Sequence, residues 1–359
     1  MGSSLAPKQS SEGLIYTLAQ RGTDNNIFSP PHLPNLVVNG NGTDVSDPKK
    51  LHGKAKRKLI SQSLSRYLVD AAKEAGNYEQ AKQYWNAWHC QSNLIKSNGR
   101  TFGNYCKTRF CLVCQANRKA TLIKKYLPTL SQWEDPHLVT LTIKTVSASK
   151  LNKWKEEGMI RGFKLIRDKY RQRHKRGKSI KLMGVKSLEC NYNPVKKTYN
   201  PHYHIIVPNR ETALILKKEW QLYWTKEHTY HGAQHIRKVG NMERDLIEII
   251  KYGSKIFTEP DMVKKGKSKI PPKIYAAALH NIFVAMKGHR IFDKFGFELE
   301  KPKLPPKAEQ QTLVNYEQIF YDSMVKDWVN YDTGEVLTGY VPKPELEYLL
   351  RNRIDKELQ

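Results

Sequence analysis

The stretch NPHYHIIVP, Asn200–Pro208, sets His202 and His204 two positions apart at the head of an apolar run. Side chains on an extended strand alternate between faces, so these two histidines point the same way. Tyr203 faces the opposite side with Ile205 and Val207, and Ile206 joins the histidines. The β-branched run favours a strand. Two imidazoles on one face suit a divalent cation, but two ligands do not complete a site. The preceding stretch IKLMGVKSLECNYN also reads as a strand, and the connection PVKKTYN is short enough to fold it back antiparallel to the histidine strand. That hairpin brings Glu189, an acid inside a mostly apolar run, beside the histidines. A shared metal gives such an acid a reason to be there. Two imidazoles and one carboxylate leave positions open for water and phosphate oxygens, a donor set that accepts Mn²⁺ or Mg²⁺. The plainer alternative is a pair of surface histidines and a Glu189 salt bridge.

A second cluster lies upstream. Of five cysteines, four fall between positions 90 and 114. Cys111 and Cys114 form a Cys-x₂-Cys knuckle, Cys106 precedes it by five residues, and Cys90 could complete a four-thiolate site. Four thiolates leave no open position, so such a site holds Zn²⁺ for structure and not for catalysis. His89 is the rival fourth ligand. Buried free thiols and a redox Cys-x₂-Cys are the alternatives. Arg109, Arg118 and Lys119 flank the cluster and could meet phosphates. Cys190 follows Glu189, so it should face the other side of its strand and join the core.

The third group is DLIEIIKYGSKI, residues 245–256. It is amphipathic at helical spacing, and Glu248 and Tyr252 stand four apart on one face. Lys255 can reach the same side, and Lys251 precedes the tyrosine. A phenol near a metal and a lysine can attack a DNA phosphodiester and form a 5′-phosphotyrosyl link. Glu248 could activate water or a terminal hydroxyl for a second attack. The chain has 19 tyrosines, so position alone is weak support. A ring packed in the core is the ordinary alternative, and Tyr275 is the next tyrosine to consider.

These side chains need a frame. HLVTLTI (137–143), residues 180–192 and residues 202–207 read as strands, and HIRKV (235–239) as a short one. Residues 51–88, 150–178, 211–228, 243–256 and 274–287 carry helical spacing, and a basic loop, KYRQRHKRGKS, closes the second of these. The pattern predicts an α+β fold with a central antiparallel sheet flanked by helices and an inserted or N-terminal zinc-binding region. Four segments follow from it. Residues 1–50, rich in Ser, Gly, Asn and Pro, form a flexible arm with little helix or strand. Residues 51–130 form a helical and zinc-binding region, 131–300 the sheet-bearing core, and 301–359 a C-terminal extension expected to pack separately.

The 359-residue chain carries a formal net charge of +27. Residues 301–359 hold ten acids against eight bases, so the first 300 residues carry +29. A body this basic calls for a polyanionic partner, nucleic acid before others. No run approaches the roughly 18 apolar residues of a membrane span. No secretory signal opens the chain, and clustered cysteines fit a reducing compartment, so a cytoplasmic location is expected. No GxxxxGK[ST] phosphate loop is visible, which argues against an ATPase or helicase.

Taken in order, HLVTLTI, LECNYN with NPHYHIIV, and IEIIKYGSKI resemble the three motifs of the HUH-type replication initiator proteins of rolling-circle plasmids. The similarity is to the group that uses a single tyrosine with a glutamate four residues before it. CLVCQANRK (111–119) resembles that group's zinc-binding region, and GHRIFDKFG (288–296) the segment after its catalytic helix. The resemblance covers roughly residues 85–300. It implies an HUH site-specific DNA endonuclease in which His202, His204 and Glu189 hold the catalytic Mn²⁺ or Mg²⁺. Tyr252 would be the nicking nucleophile, Lys255 its helper, and Glu248 the promoter of terminating hydrolysis. It also implies plasmid origin DNA as partner, double-stranded with a single-stranded or hairpin nick site, together with a host helicase and DNA polymerase. Monomer and dimer both stay open. Two other classes share some of these features. An HUH single-strand DNA transposase has the same chemistry, and a zinc-dependent, non-catalytic DNA-binding regulator would need the cysteines alone.

Overall fold

The structure is a computed structural model and describes residues 35–39, 42–153, 158–250, 272–299, 310–344 and 346–347. Strands β1 (Leu36–Asn39) and β2 (Thr43–Asp44) precede α1 (Pro48–Glu74) and α2 (Tyr78–Trp88). A hairpin of β3 (Asn93–Ser97) and β4 (Arg100–Gly103) leads to α3 (Leu112–Leu130). The middle of the chain runs β5 (His137–Thr142), α4 (Ala148–Lys153), α5 (Ile160–Lys175), β6 (Gly184–Asn193), β7 (Thr198–Val207) and α6 (Arg210–His228). It continues through β8 (His235–Lys238), α7 (Met242–Ile250), α8 (Pro272–Ala285) and β9 (Phe292–Phe295), and ends in β10 (Gln310–Leu313), β11 (Glu317–Asp322) and β12 (Asp327–Asn330).

The helix starts are written locally. Asp47 caps α1 by accepting from the Lys50 amide, with Pro48 in the first turn where its missing N–H is not needed. Asn77 caps α2 and Asn209 caps α6 in the same way. The span 150–178, given one helical spacing, holds α4 up to Lys153 and α5 from Ile160 to Lys175, and Trp154 of that pattern lies outside the described residues. Most of KYRQRHKRGKS, expected as a loop, forms the last turns of α5.

The central sheet has the order β8-β5-β7-β6-β9, and every neighbouring pair is antiparallel. The β6–β7 hairpin is tighter than PVKKTYN suggested. Thr198–Asn200 already belong to β7, and the turn shrinks to Pro194–Lys197. Asn193 causes this, because its side-chain oxygen accepts from the Val195 and Lys196 amides and builds the turn itself. At the far edge β9 packs so close to Leu182 that a Cβ on Gly296 would sit 2.0 Å from the Leu182 carbonyl oxygen, and Gly296 holds φ at +77°. Only glycine suits that place.

The sheet separates two cores. One side carries Tyr203, Ile205, Val139, Leu141 and Leu188, packed with Phe163 of α5 and Trp220 of α6. The other carries Leu138, Val185 and Ile206, packed with Tyr126 and Leu130 of α3 and Leu246, Ile249 and Ile250 of α7.

Described parts of both terminal segments pair with strands elsewhere in the chain. β1 and β2 fall inside the supposed flexible arm, and they form because they pair with distant strands, β10 and β4. The tail does not pack separately either. β11 pairs with both β12 and β3, in a second sheet of order β12-β11-β3-β4-β2. Trp328 of β12 is fully buried there and donates its indole N–H to the Gln91 carbonyl at 2.6 Å. Long-range pairing of this kind leaves little trace in local composition.

Candidate functional site

The β6–β7 register sets Glu189 opposite His202 and Ser187 opposite His204, and β5 sets Thr140 opposite His204. Directly opposed residues share a face, so Glu189, His202 and His204 stand on the side covered by α3 and α7. Tyr203 points the other way into the first core, 1% exposed and 5.1 Å ring to ring from Phe163. Cys190 is buried on that same side, where desolvation pushes its thiol up to about 12.

Glu189 is 2% exposed and His202 6%. The Glu189 Oε2 atom lies 3.7 Å from His202 Nε2 and 3.7 Å from His204 Nε2. The three ligand atoms lie within 4.8 Å of one another. His202 Nδ1 sits 3.0 Å from the Asn200 carbonyl oxygen, which can only accept. Nδ1 therefore carries the proton, and in the neutral ring the Nε2 lone pair is the one aimed at Glu189. His204 Nδ1 is held in turn by the Thr140 hydroxyl at 3.1 Å. A lone pair and a carboxylate facing each other in a buried pocket favour a cation between them. Ligand atoms about 2.1 Å from one ion stand roughly 3.0–3.5 Å apart, so small rotations close the 3.7 Å gaps. The trio fits a divalent metal.

The second cluster also fits. The Sγ atoms of Cys90, Cys106, Cys111 and Cys114 lie within 4.8 Å of one another, with Cys114 3.5 Å from both Cys90 and Cys106. Tetrahedral thiolates with bonds of about 2.3 Å stand roughly 3.8 Å apart, close to what is seen. All four are free thiols. His89 caps α2 and is not among the gathered ligand atoms. Hydrogen bonds from the other three thiols drive the Cys106 thiol down. The other three are driven up, first by the hydrogen bond each shares with Cys106. A metal resolves that conflict, because it lets all four ionise. The amides of Cys106 and Lys107 point at the Cys90 and Cys114 sulfurs, at 3.4 and 3.3 Å. Cys111 caps α3, so the positive end of that helix also faces the sulfurs.

Beneath the cluster Lys58 is wholly buried and donates to the carbonyls of Trp88 and Cys90 and to the Ser92 hydroxyl, at 2.7, 2.8 and 2.9 Å. Burial pushes its ammonium down to about 8, against the pull of the neighbouring thiols. Arg109, expected at phosphates, donates instead to the carbonyls of Met286 and His289 and fastens the cysteine loop to the end of α8. Arg118 reaches back to the Lys107 carbonyl.

Glu248 sits half-buried on α7, the helix lying over the histidine face. Tyr252, Lys255 and Lys251 lie outside the described residues. Two partners that spacing did not reveal hold α7 in place. Arg237 of β8 pairs with Asp245 of α7, one turn before Glu248, and one of its two contacts measures 3.1 Å. The guanidinium holds the Asp245 carboxyl below its usual range, and the Glu248 charge also acts on Arg237. Thr140 was missed as well, although alternation in HLVTLTI puts it on the face of Leu138. Tyr275 is half-buried against the first core, on the Tyr203 side.

An antiparallel-sheet α+β protein with a buried His₂Glu trio and a four-cysteine centre is thus defined. The family model described as replication protein matches residues 100–322, more than half of the chain, and the chain belongs to that family. It is 29% identical over 181 residues to a protein rep of Staphylococcus aureus, a match covering 46% of this chain and 75% of that one. It is 25% identical over 159 residues to a protein rep of a Bacillus species, covering 40% and 50% of the two chains. It is 24% identical over 158 residues to one of Bacillus amyloliquefaciens, covering 41% and 45%. The chain therefore spans half or less of the length of the two Bacillus relatives. No solved structure matches. The family match begins after Cys90 and runs through the end of β11.

Proposed function

We propose that this chain is the initiator of rolling-circle replication of a plasmid, an HUH-type endonuclease that nicks one strand of its origin. The observation that carries the reading is the convergence of Glu189, His202 and His204 on the sheet face beneath α7, whose last residue, Ile250, stands two positions before Tyr252 in the sequence. A divalent ion held by those three side chains, Mn²⁺ or Mg²⁺, would draw charge from a phosphate oxygen and orient the scissile group.

The rest is chemistry of the chain. The Tyr252 oxygen attacks the phosphorus, the P–O3′ bond breaks, and the leaving 3′ oxygen takes a proton to become a free 3′ hydroxyl that primes a polymerase. The phenol proton is lost to solvent or a nearby base, and the 5′ phosphate stays on the tyrosine. Lys255 offers a cation to the phosphate. Glu248, half-buried on α7, takes the proton of the incoming water or hydroxyl in the terminating step. The four-cysteine centre is structural zinc. A host helicase opens the duplex, since the chain shows no phosphate loop.

His202→Ala and His204→Ala should each remove cleavage of single-stranded origin DNA while duplex binding persists. Metal-dependent cleavage by the double variant at the normal rate would overturn the site. Glu248→Ala should form the covalent adduct normally and release it slowly. Loss of the first nick in a folded, metal-loaded Glu248→Ala protein would move Glu248 into the first step.

A further inference from the structure

We propose that the outward stripe of α5 and the turn after it form the surface on which this protein grips duplex DNA, through phosphates and not bases. The proposal rests on the DNA-nicking reading above and locates the duplex that flanks the nick. Residues Arg161–Lys181 hold ten Lys or Arg against one acid, Asp168, which gives about a third of the chain's net charge of +27 in 21 residues. α5 buries Gly162, Phe163, Ile166 and Tyr170. At 3.6 residues per turn the opposite stripe is Arg161, Lys164, Asp168, Arg171 and Lys175, and its four cations are exposed. Arg176 and Lys178 extend it into the turn, giving a basic ridge of roughly 20 Å or more at 1.5 Å per residue.

A solvated helix face is the plain alternative. It accounts for the last turn, where Arg173, His174 and Lys175 complement the negative end of the helix. It does not account for Arg161 in the first turn, which itself holds no acid, or for Lys164 one turn further on. Cations placed against the helix dipole are explained by an anion that meets them.

The ridge is also held rigid. Phe163 packs on Tyr203 and Phe295, at 5.1 and 5.4 Å ring to ring. Tyr170 and Lys169 both bond Glu219 of α6, at 3.0 and 2.8 Å. Neither aromatic ring of α5 before its last turn offers a base-stacking face, because Phe163 is 1% and Tyr170 9% exposed. A single strand is gripped by stacking on exposed aromatics, whereas a duplex backbone needs only fixed cations. α5 lies on the Tyr203 side of the sheet and the histidines face the other, so duplex grip and cleavage are assigned to opposite faces. The nicked strand has to leave the duplex and pass round the sheet to reach Glu189.

The test uses the full chain and a fluorescent duplex oligonucleotide, titrated by anisotropy at several salt concentrations. The variant Lys164→Gln, Arg171→Gln, Lys175→Gln, Arg176→Gln is set against a control losing equal charge on α1 and α2, namely Lys49→Gln, Lys50→Gln, Lys73→Gln, Lys82→Gln. The α5 variant should bind duplex at least about tenfold more weakly near 0.15 M salt, with a salt slope flatter by roughly 2–4. The control should lose little. Cleavage of single-stranded origin DNA should be unchanged in both. The proposal is overturned if the α5 variant loses no more duplex affinity than the control, or loses single-strand affinity equally. A wild-type protein that cleaves no single strand would sink the nicking reading, while the duplex titration still decides α5.

Discussion

At the residue scale, the candidate metal trio depends on three side chains and on the partners that orient them. The trio itself is legible in the sequence, because strand alternation alone puts His202 and His204 on one face and a short connection brings Glu189 back beside them. The orienting partners are not. The Asn200 carbonyl is a backbone group with no residue signature, and Thr140 reaches His204 only through the β5–β7 register. Thr140→Val should therefore keep the fold and lower Mn²⁺ affinity by about tenfold, as loss of a ligand's hydrogen-bond partner does. Titration calorimetry reads this, and an unchanged affinity would detach Thr140 from the site. Glu189→Gln keeps the shape but removes the charge, and should reduce Mn²⁺ binding further than Thr140→Val does.

At the element scale, the position of α7 over the histidine face is set by its apolar residues and by the Arg237–Asp245 pair. Amphipathic spacing made the helix readable, but residues 251–256 of that spacing lie outside the described residues, and nothing in HIRKV announced that Arg237 would reach α7. Asp245→Asn should cost about 1 kcal/mol in urea unfolding, a modest figure because the guanidinium side chain is 41% exposed. The Asp245 carboxyl is depressed in the folded state, so its contribution is fully present above the ordinary carboxylate pKa and is lost as pH falls through its lower folded value. Wild type and Asp245→Asn should therefore converge in stability in strong acid, and a gap that persists there would refute the pairing as the cause. Lys58 on α1 is a sharper case. It is wholly buried and satisfies three acceptors around the cysteine centre. Lys58→Met removes the ammonium those acceptors share, leaving Gln62 and Ser92 to reach the Trp88 carbonyl alone, and should destabilise by about 2–4 kcal/mol. Helical spacing identified α1 but gave no reason to expect two lysines, Lys54 and Lys58, on its buried side. The β3–β4 hairpin was the opposite kind of miss. Its Asn98-Gly99 turn, with φ of +48° and +68°, is a readable local signal that an eye on the cysteines passes over.

At the scale of the whole molecule, α3 joins the two candidate centres. It starts at the Cys111–Cys114 knuckle and its far end, Tyr126 and Leu130, packs with α7 over the histidine face. Removal of a metal held by the four cysteines with a chelator should therefore raise amide hydrogen exchange in α3 and also in α7, and protection lost at the cysteine loop alone would break that link. Four of the five central strands were legible because they alternate or carry β-branched runs; β9 was not, since it pairs with β6 across more than 100 residues of chain. The second sheet was not, since β11 pairs with β3 across more than 200 residues of chain and β2 pairs with β4 across more than 50. The proposed nicking reaction makes Tyr252 the nucleophile that attacks a phosphodiester, and one experiment bears on that claim most directly. Wild-type protein and Tyr252→Phe are incubated with Mn²⁺ and end-labelled single-stranded origin DNA, then resolved on a denaturing gel. The account predicts a covalent adduct on the 5′-phosphate fragment with wild type, and none with Tyr252→Phe although it still binds the DNA. An adduct formed equally by Tyr252→Phe, or cleavage by wild type that leaves no DNA on the protein, would contradict it.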